Sequence, residues 1–495
     1  MKKVLSLLLA LFTLLSLLAA CTVASSDPAE TVPVTDAAET SAESGGEGSQ
    51  ALTDNLPADL QFDGKKFRML SYRGANTFEG NGWVLYLDID EPTQGDLLET
   101  AAFRRNAELK DRFKVDFELE ADVFNWDNEK GDITYFRNVI ASSGDDMYDV
   151  AFLQNGDKSA FVIEELLYDV NSLPCIDWDK PYYNQAMNDL YQLGSKRFLI
   201  FSDTQYTCFS APMVLVNTSL LTDLGYDKNY LYTVVDDNEW TIDKMASMIR
   251  NQYNDLDQDD KPSAGDKFGY VCSRWGGMFM LGGTEVKGTY LTDSGIAFDY
   301  GTPYTVSVVD KIMQFLDTPD FFNCEGDDMI SIFNNGRALF MSWASELRAL
   351  RDWEAEYGIL PNPKYDENQA SYSAIVSGVP LLVPYTIGDP EFVGAMIEAM
   401  ASGSARYLKP AFYQNFIQQK VIRDDGSRSN WERMLSTWSR AEFVNLLCPD
   451  TRLLFFGPAG SCIINDYDAY SSYWDKQEAP LSRTCSEFYG YFMID

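Results

Sequence analysis

Phe67-Arg68-Met69-Leu70-Ser71-Tyr72 reads as a short apolar strand ending in a polar loop, and the chain beyond it keeps alternating between two periods. Leu98, Ala101, Ala102, Leu109 and Phe113 recur at the spacing of one helix face within 97–113. Val115 to Leu119 alternates as a strand, Tyr135 to Ser142 is a second helix candidate, and Tyr148-Asp149-Val150-Ala151-Phe152-Leu153 has the continuous apolar character of a buried strand. Strands separated by helices argue for an α/β fold whose sheets are mainly parallel, with ligands held at the strand ends.

This patterned region covers roughly 430 residues, which is too long for one ordinary core and predicts two domains or lobes. Residues 21–60, ahead of it, are rich in Ser, Thr, Ala, Gly, Pro, Asp and Glu, and the first basic residue after them is Lys65. So few large apolar groups cannot offset chain entropy, and a disordered linker is expected. Residues 1–20 begin with Met1-Lys2-Lys3 and continue as an uncharged Leu-rich run from Val4 to Ala20, the layout of a signal peptide. Cys21, directly after Leu18-Ala19-Ala20, resembles the end of a bacterial lipobox. That resemblance implies a lipidated Cys21 and a domain tethered to the extracellular face of the cell membrane. A transmembrane anchor is the alternative, but the run is at the bottom of the spanning range and no positive flank follows it.

Composition narrows the function. A net charge of −36, from 39 basic and 75 acidic residues, disfavours nucleic acid and anionic headgroups as partners. The chain has no histidine, which excludes Ser-His-Asp and Cys-His catalysis and histidine zinc sites. Of the 8 cysteines, lipidation of Cys21 leaves an odd number with no CxxC pair, and most are expected to pack as small apolar side chains. Aromatic residues make up 14%, enough that some rings must reach the surface or a cleft.

Several segments then fall in a telling order. Leu167-Tyr168-Asp169-Val170-Asn171-Ser172-Leu173-Pro174 is followed by Phe198-Leu199-Ile200-Phe201-Ser202-Asp203 and by Met213-Val214-Leu215-Val216-Asn217. Trp240-Thr241-Ile242-Asp243 carries Thr241 as a helix cap with Asp243 in the first turn. Phe333-Asn334-Asn335-Gly336-Arg337-Ala338-Leu339-Phe340-Met341 places Gly336 as a turn before a run of strand formers. Tyr357-Gly358-Ile359-Leu360-Pro361-Asn362-Pro363-Lys364 is a strand stopped by prolines.

The ordered set resembles an extracellular solute-binding protein of an ABC transporter, in the carbohydrate-binding family common in Gram-positive bacteria. The resemblance implies a two-lobed, periplasmic-binding-protein-like (type II) α/β fold that closes as a hinge on an unaltered solute. It implies lobe one from 61–204 with 374–404, and lobe two from 205–373 with 405–495. It further implies no catalysis, no cofactor, a monomer, a sugar or oligosaccharide as solute, and ABC permease subunits as partners.

A sugar site needs aromatic faces against ring C–H groups and planar polar groups that bond pairs of hydroxyls, in loops after strands. Tyr72, Arg73, Gln154, Asp203, Gln205, Trp275 and Trp343 meet that positional test. Trp275 and Trp343 are the expected stacking platforms, with Asp203 and Gln154 as hydroxyl partners, against the alternative that each ring is simply core. Trp240, Trp431 and Trp438 are expected in the core. Asp255, Asp257, Asp259 and Asp266 stand at positions 1, 3, 5 and 12 of an EF-type calcium loop. Asp260 occupies the usual glycine position and Asp266 the usual glutamate position, so a solvated acidic turn is the competing reading. Two rival functions stay open: a surface glycoside hydrolase using a carboxylate pair, and a ligand sensor on the same fold.

Overall fold

The structure is a computed structural model. It describes residues 51–72, 84–121, 131–142, 147–153, 158–208, 212–292, 295–324, 326–343, 350, 353–374, 378–418, 421–436 and 457–490. Cys21, Arg73, Gln154, Trp438 and Cys448 lie outside them. Among the described residues no helix is long and apolar enough to cross a membrane.

The first sheet has the order β11-β3-β1-β2, built from β1 (Lys65–Leu70), β2 (Val115–Glu120), β3 (Val150–Phe152) and the short β11 (Leu381–Leu382). β1 is parallel to β2 and β3, whereas β11 runs antiparallel to β3. A single bridge from Ile200 to Leu381 extends the sheet past β11. The helix α1 (Leu97–Phe113) makes the β1-to-β2 crossover with the bounds its periodicity predicts. Asp96 caps it, accepting from the N–H groups of Leu98 and Glu99 at 2.8 and 3.0 Å.

The second sheet has the order β10-β4-β9-β5-β8. Its strands are β4 (Met213–Asn217), β5 (Phe268–Cys272), β8 (Phe321–Asn323), β9 (Ala338–Trp343) and β10 (Tyr357–Leu360), while β6 (Thr289–Thr292) and β7 (Gly295–Phe298) form a separate hairpin. β8, β5 and β9 are parallel; β4 and β10 are successively antiparallel. The two sheets therefore share one plan: second, first and third parallel strands, then a reversed strand that the chain adds on arriving from the other sheet. β4 is reached directly from the first sheet and β11 directly from the second.

Register shows where these arrivals occur. Met213 pairs with Trp343, the last residue of β9, and Leu381 pairs with Phe152, the last residue of β3. Both crossovers thus meet the carboxyl ends of the parallel strands, which are the ends that hold ligands in open α/β sheets.

Alternation along the second sheet divides the core. Met213 and Leu215 point to the side of β4 that joins the core of the first sheet, and Val214 and Val216 point to a second cluster with Trp240, Tyr270 and Phe340. Trp240 is fully buried, with its Nε1–H on the Pro361 carbonyl at 2.9 Å, as expected of a core ring. Thr241 caps its helix through Lys244 N–H at 3.1 Å, and Gly336 takes a φ of +67° at its turn. Among the described cysteines, Cys272, Cys462 and Cys485 are buried, Cys324 is half-buried and Cys175 exposed.

Two sequence expectations need correction. Residues 51–60, assigned to the disordered linker, are ordered and packed. Arg112 donates to both carboxylate oxygens of Asp54 at 2.8 and 2.7 Å, Ser402 Oγ–H donates to the Leu52 carbonyl, and Leu56 is buried. Composition undervalued this segment because its anchor is one carboxylate with a guanidinium waiting 58 residues away. The 405–495 segment also does not stay with the second sheet. Helix α4 (Leu408–Gln418) follows α3 (Pro390–Arg406) and packs with it against α1, on the first-sheet side. Only with α5 (Asp425–Ser436) does the chain return to β10, where Asn430 Nδ2–H donates to the Ile359 carbonyl at 2.9 Å.

Asp54→Ala is expected to lower unfolding free energy by about 2 kcal/mol, since a charged pair is lost but Arg112 keeps access to water. Urea denaturation reads the loss, and limited proteolysis should show new cleavage at residues 51–60.

Candidate functional site

Ile200 lies abreast of Phe152 through Leu381, so the residues after Ile200 run past the carboxyl end of the first sheet. Asp203 opens a short 3-10 turn there, Asp203–Cys208. Lys409, from α4, places its Nζ 3.1 and 3.2 Å from the two Asp203 oxygens. One turn on, the Tyr206 hydroxyl donates to that of Tyr413, also from α4, at 2.6 Å. Lys409 Nζ sits 4.8 Å from the centre of the Tyr206 ring. The 3-10 turn and α4 are thus zipped by an ion pair and a phenol pair in step. Asp203 is only 6% exposed, and burial pushes its carboxyl up to about 6 even though Lys409 pulls the other way. The lysine end of the pair is half-buried rather than sealed.

Gln205 and Tyr72 turn inward instead. Gln205 is fully buried; its Oε1 accepts from Ser202 N–H and Oγ–H, both at 2.9 Å, and its Nε2 donates to the Ile200 carbonyl. This amide builds the turn that presents Asp203 and is committed there. Tyr72, two residues beyond β1, belongs to the core of the first sheet at 3% exposure.

Trp343 ends β9, and the pairing of Met341 with Val271 sets it abreast of Ser273, two residues before Trp275. The structure thus brings both predicted tryptophans to one end of one sheet, in different environments. Trp275 opens helix α2 (Trp275–Gly282) and is exposed. That helix starts hard against the sheet: a Cβ on Gly276 would lie 2.3 Å from Tyr270 Oη, so only glycine fits. Trp343 is buried, in edge-to-face contact with Trp353 at a centroid distance of 4.9 Å and an angle of 78°. Arg423 braces the Trp353 loop by donating to the carbonyls of Trp353 and Ala355, each at 2.7 Å, with its guanidinium 4.2 Å over the Tyr357 ring. Trp343 is therefore a packed ring and not an open platform.

Sequence reasoning missed Lys409, Tyr413 and Trp353. The first two lie on a helix about 200 residues from their partners, with no local signal for the pairing. Trp353 did carry one, as an aromatic four residues before Tyr357 at the start of β10.

In the acidic loop, carboxylate oxygens of Asp255, Asp257 and Asp259 all lie within 4.8 Å of one another. Asp266 does not join them. It is fully buried and accepts from Leu256 N–H at 2.8 Å and Ser263 N–H at 2.9 Å, so it braces the loop from within.

No family model and no curated protein matches the chain. Solved structures do. The extracellular solute-binding protein from Staphylococcus aureus in complex with maltose superposes with a TM-score of 0.54 at 10% identity, over 86% of this chain and 99% of that one. An ABC transporter solute-binding protein from Thermotoga lettingae bound with alpha-D-tagatose gives 0.51 at 11%, over 86% and 100%. UgpB from Mycobacterium tuberculosis in complex with glycerophosphocholine gives 0.51 at 12%, over 78% and 95%. The fold is that of an ABC-transporter solute-binding protein. The Asp203–Lys409 pair and the Trp343–Trp353 pair each lie at the carboxyl end of a different sheet.

Asp203 gives a pH signature with a definite sign. A carboxyl whose folded value lies above its unfolded one binds protons more tightly when folded. Its contribution to stability is then greatest below about pH 4 and is lost as pH rises to about 6. Melting temperatures of the wild type relative to Asp203→Asn should accordingly fall between pH 4 and 6 and level off above.

Proposed function

We propose that this protein captures a sugar or oligosaccharide between its two sheet-based lobes and delivers it unaltered to an ABC importer. The observation that supports it most is the shared plan of the two sheets, which aims the carboxyl ends of both at the crossovers and sets polar and aromatic side chains there. A hydroxyl-rich solute suits Asp203, a carboxylate acceptor beside an ammonium donor, with rings nearby to cover C–H faces. The reading includes a monomer acting with permease subunits at the extracellular face of the membrane, held by a lipid on Cys21. Binding and release require no cofactor, and the acidic loop has no part in them.

Thermal denaturation against maltose, maltotriose, tagatose and glycerophosphocholine tests the reading. A ligand at 100 times its Kd adds about 2.7 kcal/mol to the folded state, which corresponds to a rise of about 3 °C in a chain of this size. A sugar should give that rise and be recovered intact after prolonged incubation. Cleaved oligosaccharide would replace capture with hydrolysis, and a shift for glycerophosphocholine alone would replace sugar with a phosphodiester. Cys21→Ser should move the protein from the membrane fraction to the medium, as read by immunoblot of fractionated cells.

A further inference from the structure

We propose that the indole N–H of Trp343 is a hydrogen-bond donor to an oxygen of the bound solute, with Trp353 as the residue that positions it. The inference rests on the sugar-capture reading and assigns one of its contacts.

The observation behind it is an unpaired polar atom. Trp343 is 6% exposed, and its Nε1 has no hydrogen-bond partner. Buried N–H groups are almost always paired, so a buried orphan at a site otherwise built with care calls for a partner that arrives from outside. Trp240, fully buried, has its Nε1–H on a carbonyl, so an indole N–H in this fold can be satisfied from within. What sets Trp343 apart from the other unpaired indole among the described residues, Trp431, is its place at a strand end. Trp343 also lies where a solute would be, at the carboxyl end of β9 and across from Met213, the residue through which the chain enters the second lobe.

The neighbouring strand supports the ligand class. Asn362, two residues beyond β10, uses its Nδ2–H on the Pro212 carbonyl at 2.8 Å, next to Met213. Its Oδ1 is left without a partner, at 1% exposure of the residue. An unsatisfied donor and an unsatisfied acceptor therefore flank Pro212 and Met213. A hydroxylated solute supplies both complements, because each hydroxyl accepts and donates. Trp353, in edge-to-face contact with Trp343 and held through its carbonyl by Arg423, fixes the ring whose N–H is left without a partner.

Trp343→Phe keeps an aromatic ring and removes the N–H. In the ligand-free protein the melting temperature should stay level or rise, because an unpaired buried donor is gone. Affinity for the sugar that gives the largest shift among maltose, maltotriose and tagatose should fall about tenfold, the value of one hydrogen bond. Trp431→Phe is the matched control: Trp431 also has a buried Nε1 without a partner, but it lies on α5 and not at a strand end. Its affinity should equal that of the wild type. With 15N-tryptophan labelling, the indole resonance absent from Trp343→Phe should be the one that moves downfield on sugar addition. Unchanged affinity in Trp343→Phe, or an equal loss in both variants, overturns the inference and leaves sugar capture standing. If the wild type binds none of the three sugars, both fall together.

Discussion

Everything in this molecule depends on two strands that belong to one sheet by sequence and to the other by hydrogen bonding. β4 follows the three parallel strands of the first sheet, yet pairs with β9; β11 follows the second sheet, yet pairs with β3. Each is reversed relative to its parallel neighbours because the chain reaches it from outside, at the end where those neighbours finish. Backbone pairing of this kind leaves little freedom: a one-residue slip would turn Met213 and Leu215 away from the cluster they join. The crossovers are thereby fixed to the carboxyl ends of both sheets.

The apolar core follows from the same arrangement. One face of the second sheet has a cluster of its own, while the other continues into the core of the first through Met213, Leu215, Trp343 and Trp353. Apolar burial is non-directional and supplies bulk cohesion between such faces. Direction comes from the polar links laid over it. Asn362 ties the exit of β10 to the entry of β4, and the Asp203–Lys409 and Tyr206–Tyr413 pairs tie the first crossover to α4. Each link joins segments far apart in sequence, so each constrains a crossover and not a local turn.

What the sequence disclosed divides along that line. Features encoded within a few residues were legible: α1 with its periodic leucines and alanines, the Thr241 cap, the Gly336 turn before β9, and Trp240 as core. The order of segments was enough to indicate two sheet-based lobes. Features encoded by a distant partner were hidden. Nothing beside Asp54 announces Arg112, so an anchored segment looked like linker. Gln205 and Asp203 look alike as polar residues after a strand, yet one points into its own turn and the other toward Lys409. Trp343 and Trp275 look alike as rings after strands, yet only packing against Trp353 separates a buried indole from an exposed one. Position relative to a strand end could be read; the direction a side chain takes from it could not.

Two of the sites where the fold departs from economical burial lie at those strand ends. Asp203 is a carboxylate removed from water with one ammonium beside it, an arrangement whose desolvation cost rivals its attraction. Trp343 is an N–H removed from water with nothing beside it. An apolar residue at either place would pack as well and cost less. A fold selected for stability alone has no use for either group, whereas one that must close repeatedly on a polar solute needs groups whose hydrogen bonding is completed only when the solute is present. Under the sugar-capture proposal, the local cost at Asp203 and Trp343 is where selectivity originates, because closure is most favourable around a molecule that supplies the missing partners.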